Sequence, residues 1–378
     1  MKPYSFGIYL LILVACSEKG LQEASDQMHL SFTVSDTVLV DPGDDFLYLQ
    51  ENLWGAQWVD DGQYLYNFNR RDNAVEIIDL DQLKLQKKVL FEREGPNGTG
   101  GYVQSMYYVG DGNIALAEHH QIGIFDLNAS KLATHNIQDQ EYAGDTLLEN
   151  ESLEISGILD EGIQHFITVY RKGFGQPLGI AKLRLNDYTL TKIPVPELVE
   201  LENFRLELSG GPGISVAHPT THISYRSGKL LLSSDAVNEL FVYDPKKDSV
   251  QHFTFHSYIT PNSQKHLFKN QVHSNEEFNE ALKERGKEVF YMHFTYDTTN
   301  SRYYRLSQFF VRDGADGPIF KPVLAVFDQD FNKLFETDEL PINKVYRRYF
   351  AKDGKLYLYE NIMDEMAFIV LDIEEKNQ

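Results

Sequence analysis

The chain has 378 residues, 42% hydrophobic and 13% aromatic, enough for a substantial core and weighted toward strand-forming side chains. Its formal charge of −21 excludes a nucleic-acid partner, since no basic stripe is present to neutralise phosphates, and disfavours adsorption to an anionic membrane surface. One cysteine, Cys16, cannot form a disulfide framework within the chain.

The first element is a targeting signal. Met1-Lys2 is followed by an apolar run from Tyr4 to Val14, too short to span a bilayer and of the length of a signal-peptide core. Leu13-Val14-Ala15-Cys16 has the form of a bacterial lipobox, in which the cysteine becomes the lipidated first residue. The alternative is an ordinary signal peptide in which Cys16 is incidental. The expected organisation is therefore a lipoprotein signal peptide over 1–15, a flexible polar tether over 16–28 and a folded domain over 29–378. The expected location is the cell envelope, lipid-anchored through Cys16 at the outer membrane.

Within the domain one phrase recurs: an apolar run closed by an acidic turn. It ends at Asp79, Asp126, Asp244, Asp328 and Asp372, and a weaker copy ends at Arg184. The aspartates read as turn-formers whose carboxylates bond nearby backbone N–H groups. Ahead of several phrases stands a turn dipeptide and an alternating strand: Asp61-Gly62, Asp111-Gly112 and Asp353-Gly354, with Glu161-Gly162 and Ser227-Gly228 as variants. Asp-Gly between apolar runs is a hairpin signal, because glycine takes the positive φ a tight turn needs. Repeats of about 40–50 residues, each built from several short strands, predict an all-β fold, a six-bladed β-propeller of four-stranded antiparallel blades. After Asp372 too little chain remains for a fourth strand, whereas Leu30 to Ser35 alternates apolar and polar and belongs to no unit. The N-terminal strand is predicted to complete the last blade beside Phe368 to Leu371, with Phe32 and Val34 covered. Between the fourth and fifth blades, about 256–300, a helical insertion is expected. Ser274-Asn275-Glu276-Glu277 is a capping box, Phe278, Ala281 and Leu282 follow at helical spacing, and Gly286 sits near the end.

The face formed by the long loops and blade crossings is the expected binding surface. It collects Arg70, Arg71, Glu118, His119, His120, Arg171, Lys172, Asp235, Asn238, Arg312 and Glu360. Arg70, Arg171 and Lys172 are expected to share one mouth that favours an anionic ligand. Glu94 to Gly101 is glycine-rich but lacks the Lys-Ser/Thr pair and the following helix of a phosphate loop, so it reads as a tight crossing. Gly211-Pro212 marks the corresponding crossing further along. His119 and His120, as strand neighbours, should point to opposite sides, and Pro219 argues against a helix carrying His218 and His222. No cofactor and no catalytic residues are predicted. Any metal would be calcium or zinc, through one histidine, Glu118 and a group from another blade.

The lipobox-like Leu13 to Cys16, the Glu94-Gly95-Pro96-Asn97-Gly98 crossing and the six phrases together resemble the six-bladed β-propeller lipoproteins of Bacteroidota. That is a domain-of-unknown-function family of the DUF4221 type, distantly similar to NHL and TolB-like propellers. The resemblance covers about 29–378 and implies an envelope location without an assigned activity. Three functions follow as expectations. The first is a non-enzymatic module binding a glycan, peptide or envelope protein through the long-loop face. The second is an NHL-like metal-dependent hydrolase or lactonase with its site at the central channel. The third is a structural component of an envelope assembly.

Overall fold

A computed structural model describes residues 28–376 apart from Asp60, Asp61, Asp139, Glu161, Phe174, 210–212 and Asp316. The signal segment 1–15, Cys16 and nearly all of the tether lie outside the described residues, as do Asp61, Glu161 and Gly211-Pro212.

The fold is all-β, and its strands fall into consecutive antiparallel meanders. Sheet I is Gln57–Val59, Tyr64–Asn69, Ala74–Asp79 and Lys84–Leu90, and sheet II is Ser105–Gly110, Asn113–Ala117, Gln121–Asp126 and Lys131–Asn136. Sheet III is Glu151–Leu159, His165–Lys172, Gln176–Arg184 and Thr189–Pro194, with Ala143–Gly144 added in parallel at its edge. Sheet IV is Thr221–Arg226, Lys229–Ser234, Glu239–Asp244 and Ser249–Thr254. Sheet V is Phe290–Asp297, Arg302–Gly314, Gly317–Phe327 and Lys333–Thr337. Sheet VI is Tyr349–Lys352, Lys355–Ile362 and Glu365–Glu375, and its fourth strand is the N-terminal Leu30–Leu39.

Local chemistry dictates these meanders. Asp111-Gly112, Ser227-Gly228 and Asp353-Gly354 all have positive φ at both positions (51° and 72°, 52° and 76°, 53° and 76°), the turn whose twist matches paired strands. The recurring aspartates cap the following turn: Asp126 Oδ1 accepts from the amides of Asn128 and Ser130, and Asp328 Oδ1 from those of Asp330 and Asn332. Asp79 and Asp244 do likewise. Asp372 departs from this expectation. It lies inside strand Glu365–Glu375, where Lys355 (2.8 Å) and Ser35 Oγ (2.9 Å) hold it. In the Arg184 copy the turn carboxylate comes three residues later, where Asp187 accepts two hydrogen bonds from the Arg184 guanidinium.

The N-terminal strand is longer than its alternation suggested, and its register differs. Leu30 pairs with Glu375 and Val34 with Leu371; after a shift between Val34 and Asp36, Asp36, Thr37 and Val38 meet Val370, Ile369 and Phe368. Leu30 and Phe32 are buried, whereas Val34 is 43% exposed. Val34 precedes the shift and keeps the parity of Leu30 and Phe32, yet it is left uncovered where the bulge begins.

Apolar cores form between neighbouring sheets. Clusters join I to II, II to III, III to IV, IV to V and V to VI. A further cluster joins VI to I, setting Phe350, Tyr359 and Phe368 against Leu65 and Ile78.

Of the expected insertion at 256–300, residues Phe290–Asp297 are the first strand of sheet V. Its helix spans Asn275–Gly286, capped by Ser274 Oγ accepting from the Glu277 amide at 3.2 Å while Glu277 Oε2 accepts from the His273 amide. Ala281 is buried and Phe278 half-buried against a small sheet of Leu206–Leu208, Ser215–Ala217 and Gln271–Val272, whereas Leu282 is exposed. A second short helix, Pro196–Val199, opens on a proline and was not signalled by periodicity.

Candidate functional site

The first strand of every sheet turns one row of side chains toward a common space. A cavity of about 680 Å³ is lined by residues 57–59, 105–108, 156–159, 221–226, 293–296 and 349–351, one run from each of the six sheets. At one end it adjoins a second cavity of about 550 Å³, walled by sheet III, the 214–220 crossing and Trp54. Trp54, Ser156 and Thr221 line both, so these three residues form the threshold between mouth and channel.

Arg171 is fully engaged at the mouth. Its Nε donates to Glu154 Oε2 (2.9 Å), Nη1 to Gly175 O (2.7 Å) and Nη2 to Thr221 Oγ1 (3.0 Å). Beside it His218 packs against Gly175, whose φ of 120° and lack of a side chain are both required; a Cβ there would lie 1.7 Å from the imidazole. The buried Nδ1 of His218 has no partner among the described residues. Burial, then Arg171, Arg205 and Arg285, pushes this ring down to about 4.

At sheet VI, Arg348 lines the channel cavity against the threshold residue Trp54. Its Nη2 donates to Trp54 O (2.7 Å) and its guanidinium lies 4.6 Å from the Trp54 ring, which is 56% exposed. No carboxylate among the described residues pairs with it, and burial pushes it down to about 10.

Deeper in the channel, His222 and His293 lie with ring centroids 6.2 Å apart. His293 stacks on Tyr349 at 4.4 Å and its Nε2 is 3.0 Å from Tyr349 O. A carbonyl can only accept, so Nε2 carries the proton and a neutral ring leaves Nδ1 as a bare acceptor. That Nδ1 and His222 Nε2 are buried without a partner among the described residues. Both rings line the lumen, yet the enclosing strands desolvate them. Burial is the first cause that holds His293 at about 4; at His222 burial, then His293, Arg305 and Arg348, give about 3. Both are neutral at pH 7.

Of the residues expected at the site, Arg171 lines a cavity. Arg70 instead pairs with Glu51 and donates to Val103 O (2.8 Å) and Gln104 O (2.9 Å), and Lys172 is exposed outside both cavities. These two and Arg171 do not share a mouth, because each long basic side chain is taken by its own local partners or by solvent. Arg71 and Arg312 are exposed, and Glu360 pairs with Lys344 at 2.5 Å. Glu118 accepts from the Gly101 amide (3.1 Å) and Gln121, pinning the glycine-rich crossing. His119 and His120 do not splay apart: outside a regular strand their rings meet edge to face at 4.4 Å. Asn238 is buried as the acceptor for Arg305 Nη1 (3.0 Å). Asp235 is buried, accepts from the Thr220 amide (2.9 Å) and so fixes the crossing that walls the mouth. Burial drives its carboxyl up to about 6 against the pull of Arg285.

Among the described residues no three His, Cys, Asp or Glu side chains stand close enough to hold a metal ion, and no helix is long and apolar enough to cross a membrane. Trp54, His293 and Arg348 were not among the expected site residues. The one available signal was that both tryptophans of the chain, Trp54 and Trp58, fall just ahead of and within the first strand of the first unit.

No protein of curated function matches the sequence. Among solved structures, a member of the DUF4221 family from Bacteroides vulgatus is similar at 17% identity and a TM-score of 0.65, over 93% of this chain and 100% of that one. A protein from Bacteroides fragilis aligns over 94% of this chain and 97% of its own at 8% identity and a TM-score of 0.49. Residues 29–338 match the family described as Domain of unknown function (DUF4221), more than half of the chain, and the chain belongs to that family.

Proposed function

We propose that this chain is an envelope-anchored lipoprotein whose six sheets are the blades of a β-propeller, acting as a non-catalytic binding module through the mouth of its central channel. The observation that carries the reading is the continuity of the two cavities at Trp54, Ser156 and Thr221, with walls drawn from every sheet. A concave site assembled from many elements with a few convergent polar groups is the usual form of a ligand pocket. The ring reading is supported by cores that join each sheet to the next, VI meeting I, and by Leu30–Leu39 occupying the last sheet. The anchor reading rests on Leu13-Val14-Ala15-Cys16.

Ser156 is exposed at the threshold, so Ser156→Trp should plug the passage without disturbing the core. In a thermal-shift screen of saccharides, peptides and organic acids, a ligand of the mouth raises the melting temperature of the native protein and leaves the plugged variant unmoved. Equal shifts in both proteins would place binding elsewhere and remove this reading. For the anchor, Cys16→Ser should move the folded protein from the membrane fraction to the soluble fraction. A variant that still sediments with membranes after a high-salt wash would show that the lipid is not the tether.

A further inference from the structure

We infer, building on the binding reading, that the ligand of the mouth is an organic anion: a carboxylate held by Arg348, on a ring that lies against Trp54. Arg226 lines the channel with its guanidinium 4.4 Å from the Tyr296 ring, and three further arginines beside it, Arg171, Arg305 and Arg348, differ in how they are held. Arg171 spends its fork on Glu154, Gly175 and Thr221. Arg305, fully buried, donates to Met292 O, Asn238 Oδ1 and Ser234 O and lies between the rings of Tyr291 and Phe294 at 4.7 and 4.8 Å. Of these three, Arg348 lines the channel cavity beside the threshold residue Trp54, with one acceptor, Trp54 O, among the described residues and no carboxylate paired with it there. A guanidinium has five N–H donors in a planar fork, and an oxyanion is the group that fits the remaining ones in pairs.

Its neighbours fix the rest of the ligand. The Trp54 indole is 56% exposed and carries Arg348 at 4.6 Å, so a flat or ring-shaped body has an apolar face directly beside the cation. Across the threshold stand Ser156 and Thr221, which suit hydroxyl substituents. The chain carries −21 overall, which repels anions at long range. An uncompensated cation inside a concavity of such a protein therefore acts as a filter, since only an anion shaped to reach Arg348 recovers the attraction. Sugar acids and aromatic acids share this chemistry.

Both tryptophans of the chain line the channel, so tryptophan fluorescence, excited at the red edge to leave the 22 tyrosines silent, reports on its surroundings. Galacturonate, 4-hydroxybenzoate, galactose and inorganic phosphate are titrated in turn against the full soluble domain. Saturable quenching is expected with at least one of the two ring carboxylates, weakening as salt rises, with none from galactose or phosphate. Quenching by galacturonate alone identifies a sugar acid, and by 4-hydroxybenzoate alone an aromatic acid. Arg348→Gln should weaken binding about tenfold or more, and Arg348→Lys, which keeps the charge but loses the fork, by less. Should Arg348→Gln fail to fold, the salt dependence and the lysine variant decide. Galactose binding as tightly as galacturonate overturns the anion and leaves the mouth as a binding site. Silence from both carboxylates, or undiminished affinity in Arg348→Gln, also overturns it.

Discussion

Asp235 and His222 make opposite predictions about pH, and both test how strongly the fold desolvates the side chains it encloses. Asp235, with a folded value of about 6 against an ordinary 3.8, keeps its proton in the folded state after the unfolded chain has lost it. The folded state therefore binds more protons between those values, and the stability this confers below 3.8 is lost as pH rises through 6. Asp235→Asn retains an acceptor for the Thr220 amide and removes the charge. It should be more stable than the native protein at pH 7.5, by an amount on the order of 3 kcal/mol, and no more stable near pH 3.5. His222, held at about 3, stays neutral in the folded state while the unfolded chain protonates near 6.5. Its contribution is full above pH 6.5 and declines as pH falls toward 3, and His222→Gln should flatten that acid limb in a series of thermal melts. These residues illustrate what the sequence withholds. Thr221, His222 and Ile223 are an ordinary strand triplet, and whether a ring faces lumen or core depends on register. His218 and His222, four apart, end in different cavities because the chain is extended between them.

At the scale of elements, the N-terminal strand is the sharpest test. Removing residues 1–27 leaves every ladder pair of Leu30–Leu39 in place, whereas removing 1–39 strips the strand and uncovers the edge of Glu365–Glu375. Leu30 and Phe32 are the buried side chains lost, worth roughly 3–6 kcal/mol, a large part of a typical 5–15 kcal/mol. The longer truncation should melt far lower and aggregate through its bare edge; equal melting temperatures would mean that sheet VI does not depend on this strand. The helix offers a smaller effect: Ser274→Ala removes one capping acceptor and should cost about 1 kcal/mol by denaturant melt. Elements were the most legible level. Asp-Gly turns, turn aspartates and the capping box each carry their own short-range chemistry, so Asp126, Asp353 and Ser274 could be placed from neighbours alone. The bulge at Ser35 could not, because its cause is a partner strand more than three hundred residues away, where Ser35 Oγ reaches Val370 O and Asp372.

For the whole molecule, the two ends of the described chain meet: Leu30 opposes Glu375, and the Lys376 amide donates to His29 O at 2.8 Å. A permutant that joins Lys376 to His29 and reopens at Ala315, in the exposed tip between Arg302–Gly314 and Gly317–Phe327, should fold and melt within a few degrees of the parent. One reopened at Val242, buried in the third strand of sheet IV, should not fold. The joint also has a direction. Arg348, stacked on Trp54, stands where the first strand of sheet VI begins, and two reversals of the meander carry the third strand down to Glu375 at the opposite end. Leu30 pairs there, so the chain enters the domain at the end remote from the mouth. An attachment upstream of Met28 would therefore pull on the end remote from the mouth, with roughly 30 Å, the length of a ten-residue strand, between the point of entry and the opening. A tether at that end would leave the side that carries Trp54 accessible to ligands in solution.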